Sequence, residues 1–285
     1  MLDIIWDAVL DCLKLLPFLF LTYLLLEFIE AKAEEGSLKL VRQSGVWGPI
    51  IGSALGIVPQ CGFSASAANL FAQRLISAGT LIAVFLSTSD EMLPILISNA
   101  VSPVVILKIL GTKLLCGIIV GLIADKLLRL CRHEGETVNL HELCEEENCG
   151  CEEHGILLSA LLHTLQIAAF VLVINLILGF VIEWVGEENL ARLILNRPVI
   201  GPFIAGLVGL IPNCAASILI TQLYLSGAMS AGAMIAGLLT ASGVGLLVLF
   251  RINRRVMKDN LKILATVLIS GVLIGIALDL MKIVF

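Results

Sequence analysis

Charge is scarce in this chain. Asp, Glu, Lys and Arg make up 14% of its 285 residues, against 59% hydrophobic, and the mean hydropathy is +1.03. That balance excludes an ordinary soluble domain, whose surface needs far more charge. No concentrated basic surface is present either. The net charge is −5, with the acidic surplus gathered between Glu134 and Glu153, so nucleic acid is excluded as a partner. No basic leader precedes the first apolar stretch. It carries Asp3, Asp7 and Asp11 instead and is too long for a cleavable signal. A GxxxxGK[ST] loop is missing, so ATP is not the expected energy source. The eight Cys lack the spacing of a disulfide framework: Cys12, Cys61, Cys116 and Cys214 lie in or beside apolar segments, and Cys131, Cys144, Cys149 and Cys151 lie near one polar loop. No resolving thiol pair accompanies Cys61 and Cys214, so the chain is not expected to be an enzyme.

Long apolar runs are plentiful. Stretches at about 4–30, 48–76, 79–99, 103–125, 156–184, 199–227, 231–250 and 261–285 each reach roughly the 20 residues that cross a ~30 Å hydrocarbon layer. The expected fold class is an all-α polytopic membrane protein embedded in a lipid bilayer.

The chain is also a two-fold repeat. GPIIGSALGIVPQCGFSAS, from Gly48 to Ser66, overlays GPFIAGLVGLIPNCAAS, from Gly201 to Ser217, at a constant offset of 153. Gly56/Gly209, Pro59/Pro212, Cys61/Cys214 and Ser64/Ser217 coincide. The register continues through Ser77-Ala78-Gly79 against Ser230-Ala231-Gly232 to Ser89/Ser242. Further on, GIIVGLIAD (117–125) resembles GVLIGIALD (271–279), which pairs Asp125 with Asp279. The pairs Gly117/Gly121 and Gly271/Gly275 read as close helix packing.

Each repeat holds one apolar segment broken at its centre, in the first by Gly56, Pro59 and Gly62 and in the second by Pro212. The arms are then about 11–14 residues, too short to span alone. One kinked span and one re-entrant hairpin both fit that pattern, and Lys and Arg choose between them. With re-entrant hairpins each half crosses three times, and the second half is inverted. Twelve of the 18 cationic residues then share one face: Lys32, Lys39, Arg42, Arg74, Lys126, Arg129, Arg132, Arg251, Arg254, Arg255, Lys258 and Lys262. Arg192, Arg197 and Lys282 take the other, with Lys14, Lys108 and Lys113 unassigned. Full spans would leave a weaker bias, about ten to five, so positive-inside favours the inverted arrangement. The expected division is 1–126 and 156–285 as transmembrane repeats and 127–155 as a cytoplasmic loop, with both termini outside.

Asp90 and Glu91 are the sharpest chemical signal. They sit inside an apolar segment, after Ser87, Thr88 and Ser89. A carboxylate at the bilayer centre costs on the order of 2.5–3.5 kcal/mol, so two in sequence call for a cation, a proton or a watery cavity. Their counterparts, Gly243 and Val244, are uncharged. The broken tips, Pro59-Gln60-Cys61 and Pro212-Asn213-Cys214, come next. Carbonyls ending a first arm suit a cation, and amides starting a second arm suit an anion. Gln60 and Asn213 add amide oxygens, and Cys61 and Cys214 add soft sulfur. Ser64, Ser66 and Ser217 are expected to cap the second arms. Discontinuous helices at matching positions of two halves point to a transporter site.

His163, beside Thr164 and Gln166, fits equally well a ligand or proton carrier and a satisfied buried side chain; Glu91 is the other candidate proton carrier. Asn69, Thr221, Gln222 and Tyr224 read as lining or packing groups. In the loop, His133, His141, Cys144, Cys149, Cys151 and His154 form an irregular array suited to soft ions, among many Glu. A solvated acidic linker and a metal-binding loop both fit it.

These residues resemble a known family. The paired GIVPQCGFS and GLIPNCAAS, the buried LSTSDEMLPI and the Cys/His-rich central loop look like the bacterial ten-helix heavy-metal exporters, labelled manganese transporters or arsenic efflux proteins. The resemblance covers essentially the whole chain. It implies an inner-membrane metal efflux carrier with inverted halves, and the count of ten arises if each broken segment counts as two helices. The expected function is export of a divalent metal, Mn2+ first and Zn2+ or another ion after it, bound by Asp90, Glu91, Gln60, Cys61, Asn213, Cys214, Ser87, Ser89, Ser64 and Ser217. Exchange of a proton or Na+ would drive it, with no tightly bound cofactor. A carrier of a small anion or oxyacid such as arsenite is the alternative, and a homodimer is left open.

Overall fold

The computed structural model describes residues 47–58, 61–73, 75–89, 92–130, 156–185, 199–212, 214–283 and 285, together with helical positions between 6 and 24. Among the described residues every regular element is a helix. The first repeat builds α1 (Trp47–Gly56), α2 (Cys61–Ala72), α3 (Ala78–Ser87), α4 (Met92–Ser98) and α5 (Pro103–Leu130). After α6 (Ile156–Val185), the second builds α7 (Ile200–Gly209), α8 (Cys214–Leu225), α9 (Ala231–Thr240), α10 (Val244–Ile252) and α11 (Met257–Leu280), with a 3-10 turn at Arg254–Val256 before the last. The pairs α1/α7, α2/α8 and α3/α9 start 153 residues apart, the offset of the sequence repeat.

The breaks expected around Pro59 and Pro212 are present: α1 stops at Gly56 and α2 starts at Cys61, and α7 stops at Gly209 and α8 starts at Cys214. Two more are not foreshadowed by proline. The stretches 79–99 and 231–250, expected as single elements, are each interrupted: α3 stops at Ser87 and α9 at Thr240. In the first repeat hydroxyls cluster at the helix end. Ser87 Oγ donates to the Ala83 carbonyl at 2.8 Å, Thr88 Oγ1 to Val84 at 2.7 Å and Ser89 Oγ to Ser87 at 3.1 Å. Three consecutive side chains thus satisfy their own polar groups on nearby carbonyls in a buried setting. In the second repeat Gly243 breaks the chain at φ 55°, ψ −141°, a conformation that only a residue lacking Cβ adopts without strain.

The order of contacts along α1 and α3 fixes how the first break folds. Pro49 and Gly79, near the two helix starts, both abut Gly121, and Gly56 abuts Ser87 at the two ends. The helices therefore run side by side in the same direction, and α2, which connects them, has to run back. The second repeat matches it: Pro202 and Gly232 both abut Gly275, and Gly209 abuts Thr240.

Burial sorts the layers. The apolar windows within 231–252 and 78–98 are mostly buried, whereas those within 257–280 and 103–127 are mostly not. The interrupted helices α3 and α9 form the centre. The long helices α5 and α11 flank them and turn Leu107, Leu115, Ile119, Ile269 and Leu273 outward. All four stretches are long and apolar enough to cross a membrane, and the molecule is a multi-pass membrane protein of two inverted halves.

One device fastens centre to flank in both halves. Ser77 caps α3 by accepting the Thr80 amide at 3.1 Å. Asp125 of α5 accepts the Ser77 hydroxyl and the Gly79 amide, each at 2.8 Å. Ser230, Gly232 and Asp279 repeat those bonds at the same distances for α9 and α11. A carboxylate at a helix start meets the positive end of the helix dipole and otherwise orphaned amides. Close approach makes this reach work: a Cβ on Gly121 would sit 2.7 Å from the Gly79 carbonyl, and one on Gly275 2.5 Å from that of Gly232. The small-residue stripes thus serve as close-packing surfaces, as their spacing predicts.

The halves also exchange arms. α2 packs along α10, and α8 packs against α4. Gly245 lies so near Ser64 that an added Cβ would be 2.7 Å from the serine Cβ and carbonyl carbon. Before the first repeat, Tyr23 Oη donates to Asn69 Oδ1 at 2.9 Å, and Cys12 Sγ to the Ala168 carbonyl of α6 at 3.4 Å.

Candidate functional site

Four helix ends gather at the centre. α1 ends on α3 where Gly56 meets Ser87 and the Val84 carbonyl, and α7 ends on α9 where Gly209 meets Thr240 and the Gly237 carbonyl. Each of these helices points its C-terminal end, with unpaired carbonyls and partial negative charge, toward the break that follows it. Thr240 Oγ1 binds the Gly206 carbonyl at 2.8 Å and so ties the two ends of the second half together.

A buried side chain joins the two halves at this depth. Lys113 of α5 is 1% exposed. Its ammonium donates to the carbonyl of Thr88, the residue that closes α3, and to the carbonyl of Leu238 in α9 at 2.9 Å. Leu238 is in the last turn of α9, where the chain has turned away: the Ser242 amide bonds to Thr240 rather than continuing the ladder. Lys113 is ten residues into α5, hence about 15 Å along its axis at 1.5 Å per residue, close to mid-depth of a ~30 Å layer. An ionised group there is expensive unless paired. The carbonyls of two helix ends supply partners.

Lys113 is the functional candidate that sequence reasoning missed. It was one of three cations with no assigned face. The available signal was its place: a lysine at the middle of an apolar 25-residue run, far too deep to reach either surface.

Of the predicted residues, Ser87 and Ser89 are buried at the end of α3, with their hydroxyls on backbone carbonyls. Ser64 and Ser217 are buried as well. The expected capping role is corrected for Ser64, Ser66 and Ser217: α2 begins at Cys61 and α8 at Cys214, so all three lie inside their helices, past the cap position. Ser64 instead meets the start of α10, which brings the first repeat's tip arm against the second repeat's central break. Gly62 is buried in α2, and Pro212 is half-buried just after α7. Asn69 and Tyr224 are packing groups, bound to Tyr23 and to the Phe285 carbonyl. Thr221 bonds within α8, to the Ser217 carbonyl at 2.7 Å.

Asp90, Glu91, Pro59, Gln60 and Asn213 lie outside the described residues, as do Asp11 and the loop residues His133, His141, Cys144, Cys149, Cys151 and His154. The side chains of Cys61, His163 and Cys214 lie outside them too. Their flanks are described: Ser89 and Met92, on either side of the acid pair in sequence, are 2% and 0% exposed.

A family model matches the chain twice, over residues 2–161 and 152–283; the family, ArsP_2, is described as "Putative, 10TM heavy-metal exporter". No curated protein and no solved structure matches the chain significantly.

Proposed function

The chain belongs to this family of ten-helix heavy-metal exporters, and from that premise we propose that it is a secondary active transporter exporting a divalent metal cation, Mn2+ first, by alternating access. The observation that carries the reading is the meeting of both repeats' interrupted helices around one buried point, reported by Lys113 between Thr88 and Leu238. Helix ends at the middle of inverted halves are where transporters bind ions, because freed carbonyls replace part of an ion's hydration shell. Asp90 and Glu91, next in the chain after Ser89, supply charge for a hard divalent ion. Gln60, Asn213, Ser87, Ser89, Ser64 and Ser217 add neutral oxygen. Cys61 and Cys214 extend tolerance to softer ions such as Zn2+.

Residues 1–126 and 156–285 would rock against each other, with α1/α2 and α7/α8 entering and leaving the layer as re-entrant hairpins. Proton or Na+ exchange drives the cycle, and Glu91 or His163 carries the proton. The bias of Lys and Arg supports a cytoplasmic loop 127–155 with both termini outside, in what we take to be a bacterial inner membrane. There its Cys and His residues would collect metal for export.

The test is metal sensitivity of cells expressing Asp90→Asn or Glu91→Gln at wild-type protein level. Loss of protection against Mn2+ in both is expected. Full protection by both removes the acids from the mechanism.

One observation favours a second reading. The buried ammonium of Lys113 also suits a small anion or oxyacid such as arsenite. Uptake into proteoliposomes separates the two, since Mn2+ competes for a cation site and leaves an oxyacid site unaffected.

A further inference from the structure

Lys113 does more than neutralise helix ends. Thr88 and Leu238, which accept from its ammonium, belong to different halves of the protein: Thr88 ends α3 of the first, and Leu238 is in the last turn of α9 of the second. All three residues are nearly inaccessible, at 1%, 3% and 1% exposure. Two carbonyl oxygens at opposed helix ends are the donor type that selects small cations. The group between them is itself a cation, carried on a flexible four-carbon stem and therefore able to withdraw.

We propose that the carbonyls of Thr88 and Leu238 belong to a cation site whose resident occupant is the chain's own Lys113 ammonium, and that an incoming small cation takes the site by displacing it. A tethered group competes at an effective concentration of roughly millimolar or above. The lysine therefore keeps abundant, weakly bound cations out and admits only an ion that binds more strongly than its own ammonium. It also bridges the halves while it is seated, so displacement removes one link between α3 and α9 at the moment of loading. Competition with a transported metal rests on the export reading; the cation site itself does not.

The experiment uses the purified full-length chain as wild type, Lys113→Ala and Lys113→Met. Thermal unfolding is followed with methylammonium chloride and with tetramethylammonium chloride at equal ionic strength. Lys113→Ala leaves room for a free ammonium. Methylammonium is expected to raise its midpoint saturably, with half-effect at roughly millimolar concentration, while tetramethylammonium, which has no N–H to donate, does nothing. Lys113→Met keeps the apolar stem and leaves only the ammonium position open, so it carries the second measurement should the alanine variant fold poorly. Its Mn2+ dissociation constant is expected to fall about tenfold or more below wild type, because the competitor is gone.

Equal, unsaturable responses to both ammonium salts, with unchanged Mn2+ affinity in Lys113→Met, would overturn the proposal while leaving metal export intact. Selective methylammonium rescue in a protein that binds no Mn2+ in any form would uphold the cation site and remove Mn2+ from the functional reading.

Discussion

Asp125 closes the start of α3 through Gly79, accepting its amide at 2.8 Å, and Asp279 does the same for Gly232 in the other half. These carboxylates look at first like transport residues, being acids near membrane helices. Their bonds say otherwise: each is spent on a serine hydroxyl and a backbone amide at a helix end. Asp125→Asn keeps the shape and loses the charge-assisted pair, since its amide nitrogen cannot accept from Ser77. Each Asp→Asn change should cost about 1.5–3 kcal/mol. The two share no partner, so their effects should add. Denaturation of the detergent-solubilised protein measures both, and a stable double variant would contradict this assignment.

Glycines in α5 divide into two kinds. A Cβ on Gly121 would press on the Gly79 carbonyl and the Ala83 side chain, whereas one on Gly111 would meet nothing within 4 Å. Gly121→Ala should therefore destabilise by about 1–3 kcal/mol through overpacking. Gly111→Ala should stabilise by roughly 0.5–1 kcal/mol through helix propensity alone. Opposite signs on one helix are the expected readout, and equal effects would count against the packing described.

Gly245 tests the seam between halves. Its Cβ would enter the backbone of Ser64, across the two repeats. Gly245→Ala should impair metal resistance more than Gly111→Ala does at matched expression. If both variants protect cells equally, α2 and α10 are not held as closely as the structure has them.

The leading helix docks on α2 through Tyr23 and Asn69, both buried. A double-mutant cycle with Tyr23→Phe and Asn69→Ala should give a coupling of about 0.5–1.5 kcal/mol. A coupling indistinguishable from zero would dissolve that contact.

Much of the architecture was legible because duplication writes the same pattern twice. Pro59 and Pro212 mark one pair of breaks, since proline removes a ladder bond wherever it stands. The other pair escaped for a physical reason. Thr88, Ser89 and Asp90 align with Ala241, Ser242 and Gly243, and no residue type is shared except one serine. The first break follows a run of buried hydroxyls bonded to nearby carbonyls and the second carries a positive φ at Gly243, so the two halves share a bend without sharing its residues. Polar residues before Asp90 read as site chemistry, when several of them also end a helix. Lys113 escaped because its acceptors are 25 and 125 positions away. Periodicity sees neighbours on one helix and cannot see a side chain that reaches between two halves.

The exchange of arms has a consequence for biogenesis. The surface that α2 needs is α10, made about 170 residues later. At roughly 5–20 residues per second, synthesis leaves that face waiting for on the order of ten seconds or more. During that interval half a carrier sits in the bilayer with a seam open to lipid and to other nascent chains. Expressing the two halves from separate messages should thus yield little protein unless both arrive at one insertion site together.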